Sequence, residues 1–389
     1  MRNFNILQQA LILSAAAFSG QVDATPTVRV NAKVCNNYKI PVSITSTNLV
    51  FGLPFKNNLD VADFVTIAGS RDDAARAPVI TGVNTTSRDF TIGATFCTPA
   101  KSAGSKKDIV LVATHGGLFD RTYWDPNLDK SKYSFVDWVI GQGYSIFYYD
   151  RIGQGESSVV SGYYAQLSNQ AAVLTELTKL VKAGKYVGSV GKPKSVVLVG
   201  HSIGSNIAAQ AVADDLTLAD GLILTGYGFN QSIQNPKATF GAEDFRIAKG
   251  VKPLVWGKYD TGYLVPVDQY PIAATFFKKP NYDPAVVAYV EKTKQPFGII
   301  EVLTSSIPNA PPAGYKGVAM ILTGENDFIF CTSKCDQYGL EHPAVDAVFN
   351  QAKAFKATVW PGAGHGLNFA ANAAGSFKEI TDFLAANGL

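Results

Sequence analysis

This sequence predicts an α/β fold, a mainly parallel sheet with helices on both faces, and three observations predict it. From Asp108 onward, short apolar runs alternate with helical stretches, as happens when parallel strands buried on both faces are joined by crossover helices. The pentapeptide Gly200-His201-Ser202-Ile203-Gly204 stands at one junction between such a run and a helix. Two Gly-rich turns, Thr114-His115-Gly116-Gly117 and Pro361-Gly362-Ala363-Gly364-His365-Gly366, follow two other runs, so residues that carry chemistry gather where strands end.

The runs over residues 109–113, 144–149, 195–199, 222–225, 318–322 and 357–360 are the expected strands. Residues 164–182 and 203–213 read as helices; the first carries Leu167, Val173, Leu174, Leu177, Leu180 and Val181 on a broad apolar face. Residues 377–384 close the chain as an amphipathic helix. Two segments break the alternation. Residues 25–100, rich in Val, Thr and Asn, form an N-terminal β-rich extension whose last strand is 90–97. Residues 231–312, with Pro, Gly and aromatics such as Phe245, Trp256, Tyr259, Tyr263, Tyr270, Phe276 and Phe277, read as a cap inserted into a core made of 101–230 and 313–389. For any one of those aromatics, ordinary packing between cap and core competes with a role at a pocket.

At 47% hydrophobic content over 389 residues the chain is a globular protein and not a disordered one. Its formal charge of +3 comes from dispersed Lys and Arg, so no nucleic-acid surface is marked. Arg2, an apolar stretch over 6–18 and the ending Val22-Asp23-Ala24 predict a secretory signal peptide over 1–24. No further run of about 18 apolar residues follows, so the mature chain is expected to be extracellular and without a transmembrane segment. Cys35, Cys97, Cys331 and Cys335 suit an oxidising compartment. Their three possible pairings stay open, although Cys35 with Cys97 would staple the extension and Cys331 with Cys335 would close a small loop. Asn84-Thr85-Thr86 and Asn230-Gln231-Ser232 are glycosylation sequons. Zinc spacing and a Cys-x-x-Cys motif are both lacking in the sequence, and no cofactor is expected.

The chemistry converges on a serine. Small residues two positions either side of Ser202 permit the tight strand-to-helix turn that presents its hydroxyl. Acyl transfer also needs N–H donors for the developing oxyanion, and Gly117 and Ile203 are assigned to that role. His115 is expected to hold its turn by hydrogen bonds. The base and the acid should follow at later strand ends: His365 is the base, and Asp327, beyond the turn that Gly324 allows, is the preferred acid over Glu325 and Asp260. Asp150 is expected to organise the turn Asp150-Arg151-Ile152-Gly153-Gln154-Gly155-Glu156-Ser157.

Taken in order, His115-Gly116-Gly117, that Asp150 turn, Gly200-His201-Ser202-Ile203-Gly204, Asp327 and Gly364-His365-Gly366 resemble the α/β-hydrolase superfamily over residues 108–389. The leader and Thr91-Ile92-Gly93-Ala94-Thr95-Phe96-Cys97 resemble those of its secreted fungal members. The resemblance implies the α/β-hydrolase fold, a Ser202–His365–Asp327 triad and hydrolysis without metal or organic cofactor. The expected substrate is a small apolar carboxylic ester. Hydrolysis of an amide, thioester or carbon–carbon bond by the same triad, or a non-catalytic binding protein of the same fold, are the alternatives.

Overall fold

The computed structural model describes residues 33–69, 79–100, 106–228, 241–305, 312–333, 335 and 347–389. The expected signal peptide, the sequon at Asn230 and the first ten residues of the expected cap lie outside the described residues.

Eight strands form the main sheet: β1 (Lys33–Phe51), β2 (Ile80–Pro99), β3 (Ile109–Thr114), β4 (Ser145–Tyr149), β5 (Ser195–His201), β6 (Gly221–Thr225), β10 (Val318–Gly324) and β11 (Ala354–Trp360). Their spatial order is β1-β2-β4-β3-β5-β6-β10-β11. All neighbours from β4 to β11 are parallel, and the β1–β2 and β2–β4 pairs are antiparallel. Because side chains alternate across a strand, each central strand must be apolar on both faces. Leu111, Ile146, Val197 and Val199 enter one apolar layer with residues of the helices Phe135–Gly141 and Ala373–Ala386. Val110, Val112, Phe147, Val196 and Leu198 enter the other, with the helices Leu167–Lys182 and Ile203–Asp214. Each such side chain contributes about 1.5–3 kcal/mol by leaving water.

The N-terminal extension departs from its sequence reading in detail. Instead of several strands and loops, β1 and β2 pair continuously over 19 and 20 residues, with one register shift at Val50/Phe51. Ile40, Val42 and Ile44 are buried on one face, while Thr45–Ser87 at 2.7 Å and Thr47–Thr85 at 2.9 Å pair hydroxyls on the other. Between the two strands lies an unanticipated helix, Asn58–Gly69, held by Val61 and Phe64 packing into the core. Asn84 of the first sequon is exposed on β2.

Between β6 and β10 a second, antiparallel sheet forms from β7 (Phe245–Ile247), β8 (Tyr263–Pro266) and β9 (Phe297–Gly298). Trp256, Tyr259 and Tyr263 pack with Ala248 and Val265 in a core of their own, and Tyr270 is exposed. Most aromatics of the insert are therefore packing residues. Among the described residues no helix is long and apolar enough to cross a membrane.

The cysteines pair Cys35–Cys97 and Cys331–Cys335. Cys35 and Cys97 are register partners across β1 and β2, 62 residues apart in sequence. A cross-link over so long a loop restricts the unfolded chain, so replacing both with Ala should cost about 2–4 kcal/mol. Urea unfolding of the variant is expected to show a lower midpoint; an unchanged midpoint would contradict this role for the bond.

Candidate active site

The site is built at the C-terminal ends of β3, β5, β10 and β11. Ser202, between β5 and the helix Ile203–Asp214, has φ 56° and ψ −123°. A side-chain-bearing residue pays strain for positive φ, and local bonds hold it there: Ser202 N–H donates to Thr225 O at 2.9 Å, and Ser202 O accepts from Ser205 N–H at 2.8 Å. A Cβ at Gly204 would strike the carbonyls of Thr114 and His115, and one at Gly200 would strike the Ser205 backbone. Only glycine lets this helix begin so close to β3 and β5.

The turn after β3 lies against this junction. A Cβ on Gly116 would stand 3.0 Å from Ser202 Cβ, and one on Gly117 would stand 3.3 Å from Ile203 Cδ1. Among the described residues neither the Gly117 N–H nor the Ile203 N–H has a hydrogen-bond acceptor. Ile203 opens its helix, where N–H groups have no partner within the helix and carry the positive end of its dipole. His115 holds the turn: Nδ1–H donates to Gly116 O at 2.9 Å, and Nε2 accepts from Arg151 N–H at 3.1 Å. Burial, then the Arg151 charge, hold its pKa well below the ordinary histidine value, so the ring stays neutral.

Asp327 follows β10 through a turn closed by its N–H on Gly324 O at 3.0 Å. One carboxylate oxygen accepts from Phe330 N–H at 2.9 Å, and the other accepts from His365 Nδ1–H at 2.7 Å. Both side chains are wholly buried. With the proton on Nδ1, Nε2 presents a lone pair. Nε2 has no partner among the described residues, so its bond to Ser202 is not made in this structure; such bonds are commonly long without substrate and tighten in the complex. The ring packs against Phe276 at 5.1 Å and Phe330 at 5.8 Å, and lies 5.0 Å from the His201 ring. A Cβ at Gly226 would meet both His201 and His365, and glycine at φ +53° leaves the room they need.

The competing carboxylates have other work. Glu325 Oε2 accepts from Gly362 N–H at 2.7 Å, tying down the loop that carries His365. Asp260 accepts from Gly162 N–H at 3.1 Å and Gly262 N–H at 3.0 Å, tying the insert to the core. Asp150 accepts from Arg121 N–H and Glu156 N–H, both at 2.8 Å, and pairs with the Arg121 guanidinium. Burial pushes its carboxyl up to about 6 despite that charge. His201 donates from Nδ1 to Thr225 Oγ1 at 3.2 Å and stacks on Tyr123. His342 lies outside the described residues.

Two participants were not legible beforehand. Phe276 O accepts from Gly366 N–H at 2.8 Å, so the insert props the His365 loop. Glu301, wholly buried, forms an ion pair with Arg151 beneath the His115 turn. Its signal in the sequence is a lone acid within Ile299-Ile300-Glu301-Val302-Leu303, since a carboxylate inside an apolar helical run is buried only with a partner.

A serine at a positive-φ turn, a buried Asp–His pair and a Gly-rich turn on one edge of a parallel sheet define a hydrolase-type site. The chain belongs to the alpha/beta hydrolase family, whose sequence model matches residues 109–374. Among solved structures it is similar to a soluble variant of monoglyceride lipase from Saccharomyces cerevisiae, at 14% identity and TM-score 0.50 over 77% of this chain and 92% of that one. It is also similar to a thermophilic esterase from Thermogutta terrifontis, at 17% identity and TM-score 0.49 over 80% and 96%, and to the alpha/beta hydrolase GrgF from Penicillium sp. sh18, at 16% and 0.48 over 77% and 94%. A search of curated proteins returns no match.

The hydrogen bond to His365 separates the acids. Asp327→Asn retains volume but favours the wrong imidazole tautomer, and should lower turnover roughly 10³- to 10⁴-fold. Glu325→Gln and Asp260→Asn should cost far less. Steady-state hydrolysis by the three variants is the check, and a crippled Glu325→Gln beside an active Asp327→Asn would displace the acid by two residues.

Proposed function

We propose that this protein is a secreted serine hydrolase that cleaves a carboxylic ester of an apolar substrate through an acyl-enzyme on Ser202. The observation that carries the reading is the buried Asp327–His365 pair with its unpartnered Nε2, its ring 5.0 Å from that of His201, which precedes a serine held at φ 56°. In this mechanism Ser202 Oγ attacks the carbonyl carbon as its proton passes to His365 Nε2. The carbonyl electron pair moves onto oxygen, where the Gly117 and Ile203 N–H groups stabilise the charge. Collapse breaks the bond to the leaving alkoxide, which takes the proton from Nε2. Water, deprotonated by His365 Nε2, then attacks the acyl carbon; the bond to Ser202 Oγ breaks, the acid leaves, and Oγ takes the proton back from Nε2.

Apolarity of the substrate is supported by what surrounds the two histidines: Phe119 contacts Phe276 at 5.7 Å and the His201 ring at 6.4 Å, and Phe276 and Phe330 flank His365. In this reading residues 231–312 act as the cap over a core of 101–230 and 313–389. The leader over 1–24 directs export, and the exposed Asn84 sequon is glycosylated.

Loss of a triad nucleophile costs on the order of a million-fold in turnover, and residues acting as one unit are far from additive. Ser202→Ala and His365→Ala should therefore each abolish hydrolysis of a short-chain activated ester, and the double variant should be little worse than either. Circular dichroism checks the fold of all three. A folded Ser202→Ala protein with wild-type turnover would defeat the mechanism.

A further inference from the structure

We infer that Arg151 is a positioning residue that aims the Gly117 N–H at the oxyanion, and that the insert holds it through Glu301. The inference rests on the proposed acyl transfer at Ser202 and deepens it. Arg151 has no exposed side-chain surface. Its guanidinium pairs through Nη1 with Glu301, which lies on the helix Ile299–Ser305 of the insert, and donates through Nη2 to Gly116 O at 3.2 Å. That carbonyl already accepts from His115 Nδ1–H at 2.9 Å. The Gly116 C=O and the Gly117 N–H belong to one peptide unit. It is planar and trans, so the N–H points opposite to the C=O. Two donors on one carbonyl fix its direction, and with it the direction of the N–H. A charged donor on the carbonyl also polarises the amide, which strengthens its N–H as a donor in turn.

Stability alone does not account for a charge at this place. A buried ion pair replaced by apolar side chains of similar volume is often as stable or more so. The pair is nonetheless built with care. Gln170 Nε2 donates to Glu301 Oε1 at 3.0 Å, and Gln170 also bonds both backbone groups of Ile152, beside Arg151. The Arg151 N–H donates to His115 Nε2 at 3.1 Å. Every link from the insert helix to the Gly116–Gly117 peptide is therefore a direct bond. Slack at the far end is small, because Gly116 lies so near Ser202.

Two variants test this: Arg151→Lys, which keeps the charge but loses the fork, and Arg151→Met/Glu301→Leu, which removes both charges and carries the test should the first not fold. The probes are a short-chain activated ester and the trifluoromethyl ketone of matching acyl group, which forms a tetrahedral oxyanion adduct on an active serine. A misplaced donor should lower kcat about tenfold to a hundredfold and weaken the ketone by the same factor, with KM within about threefold. Melting of the double variant should match wild type. A folded variant that holds kcat and ketone affinity within about twofold of wild type overturns the inference, as does a fall in kcat without a matching loss of ketone affinity. Retained activity in Ser202→Ala would instead strike the acyl-transfer reading itself.

Discussion

In the proposed mechanism His365 takes a proton at Nε2 and must be kept from holding one there beforehand, which is the part given to the 2.7 Å hydrogen bond from its Nδ1 to Asp327. Much of the molecule serves that bond. Asp327 is fixed by capping the short helix Phe328–Cys331 and by the turn on Gly324. The His365 loop is tied to the end of β10 by Asn326 N–H on Ala363 O and by Glu325 on Gly362, and to the insert by Phe276. A pair so buried is intolerant of loosening, because a lost partner leaves a polar group without water.

The sheet explains why these loops meet. Parallel strands place all their C-terminal ends on one edge, so β3, β5, β10 and β11 each contribute a turn to the same region. The strain in the Ser202 turn is offset by its backbone bonds to Thr225 of β6 and to Ser205 and Asn206 of the following helix. The insert between β6 and β10 is bonded to the core edge. It reaches the His365 loop through a backbone carbonyl and the Gly116 turn through a buried ion pair, so the core edge and the insert are mechanically one piece there.

The core strands were legible because burial on both faces leaves uninterrupted apolar runs, as in Val196-Val197-Leu198-Val199. The extension was less so. Its exposed face is Thr, Ser and Asn, which disguised two strands of about twenty residues as shorter strands and loops. Among its described side chains the helix Asn58–Gly69 buries only Val61 and Phe64 fully, too sparse a stripe to stand out. The pairing of Cys35 with Cys97 and of Cys331 with Cys335 resolves what counting left open. Ser202, His365 and Asp327 could be singled out because local turn chemistry marks each one. Phe276 and Glu301 could not, since their parts depend on contacts between distant segments that no local pattern records.

The proposed chemistry requires Ser202 to be an activated nucleophile, and covalent labelling reads that directly. The protein would be treated with a fluorophosphonate, digested and mapped by mass spectrometry, with a denatured sample as control. The expected result is one adduct, on the peptide carrying Gly200-His201-Ser202-Ile203-Gly204, formed only by the folded protein. Labelling absent from folded protein, or located on another serine, would contradict it.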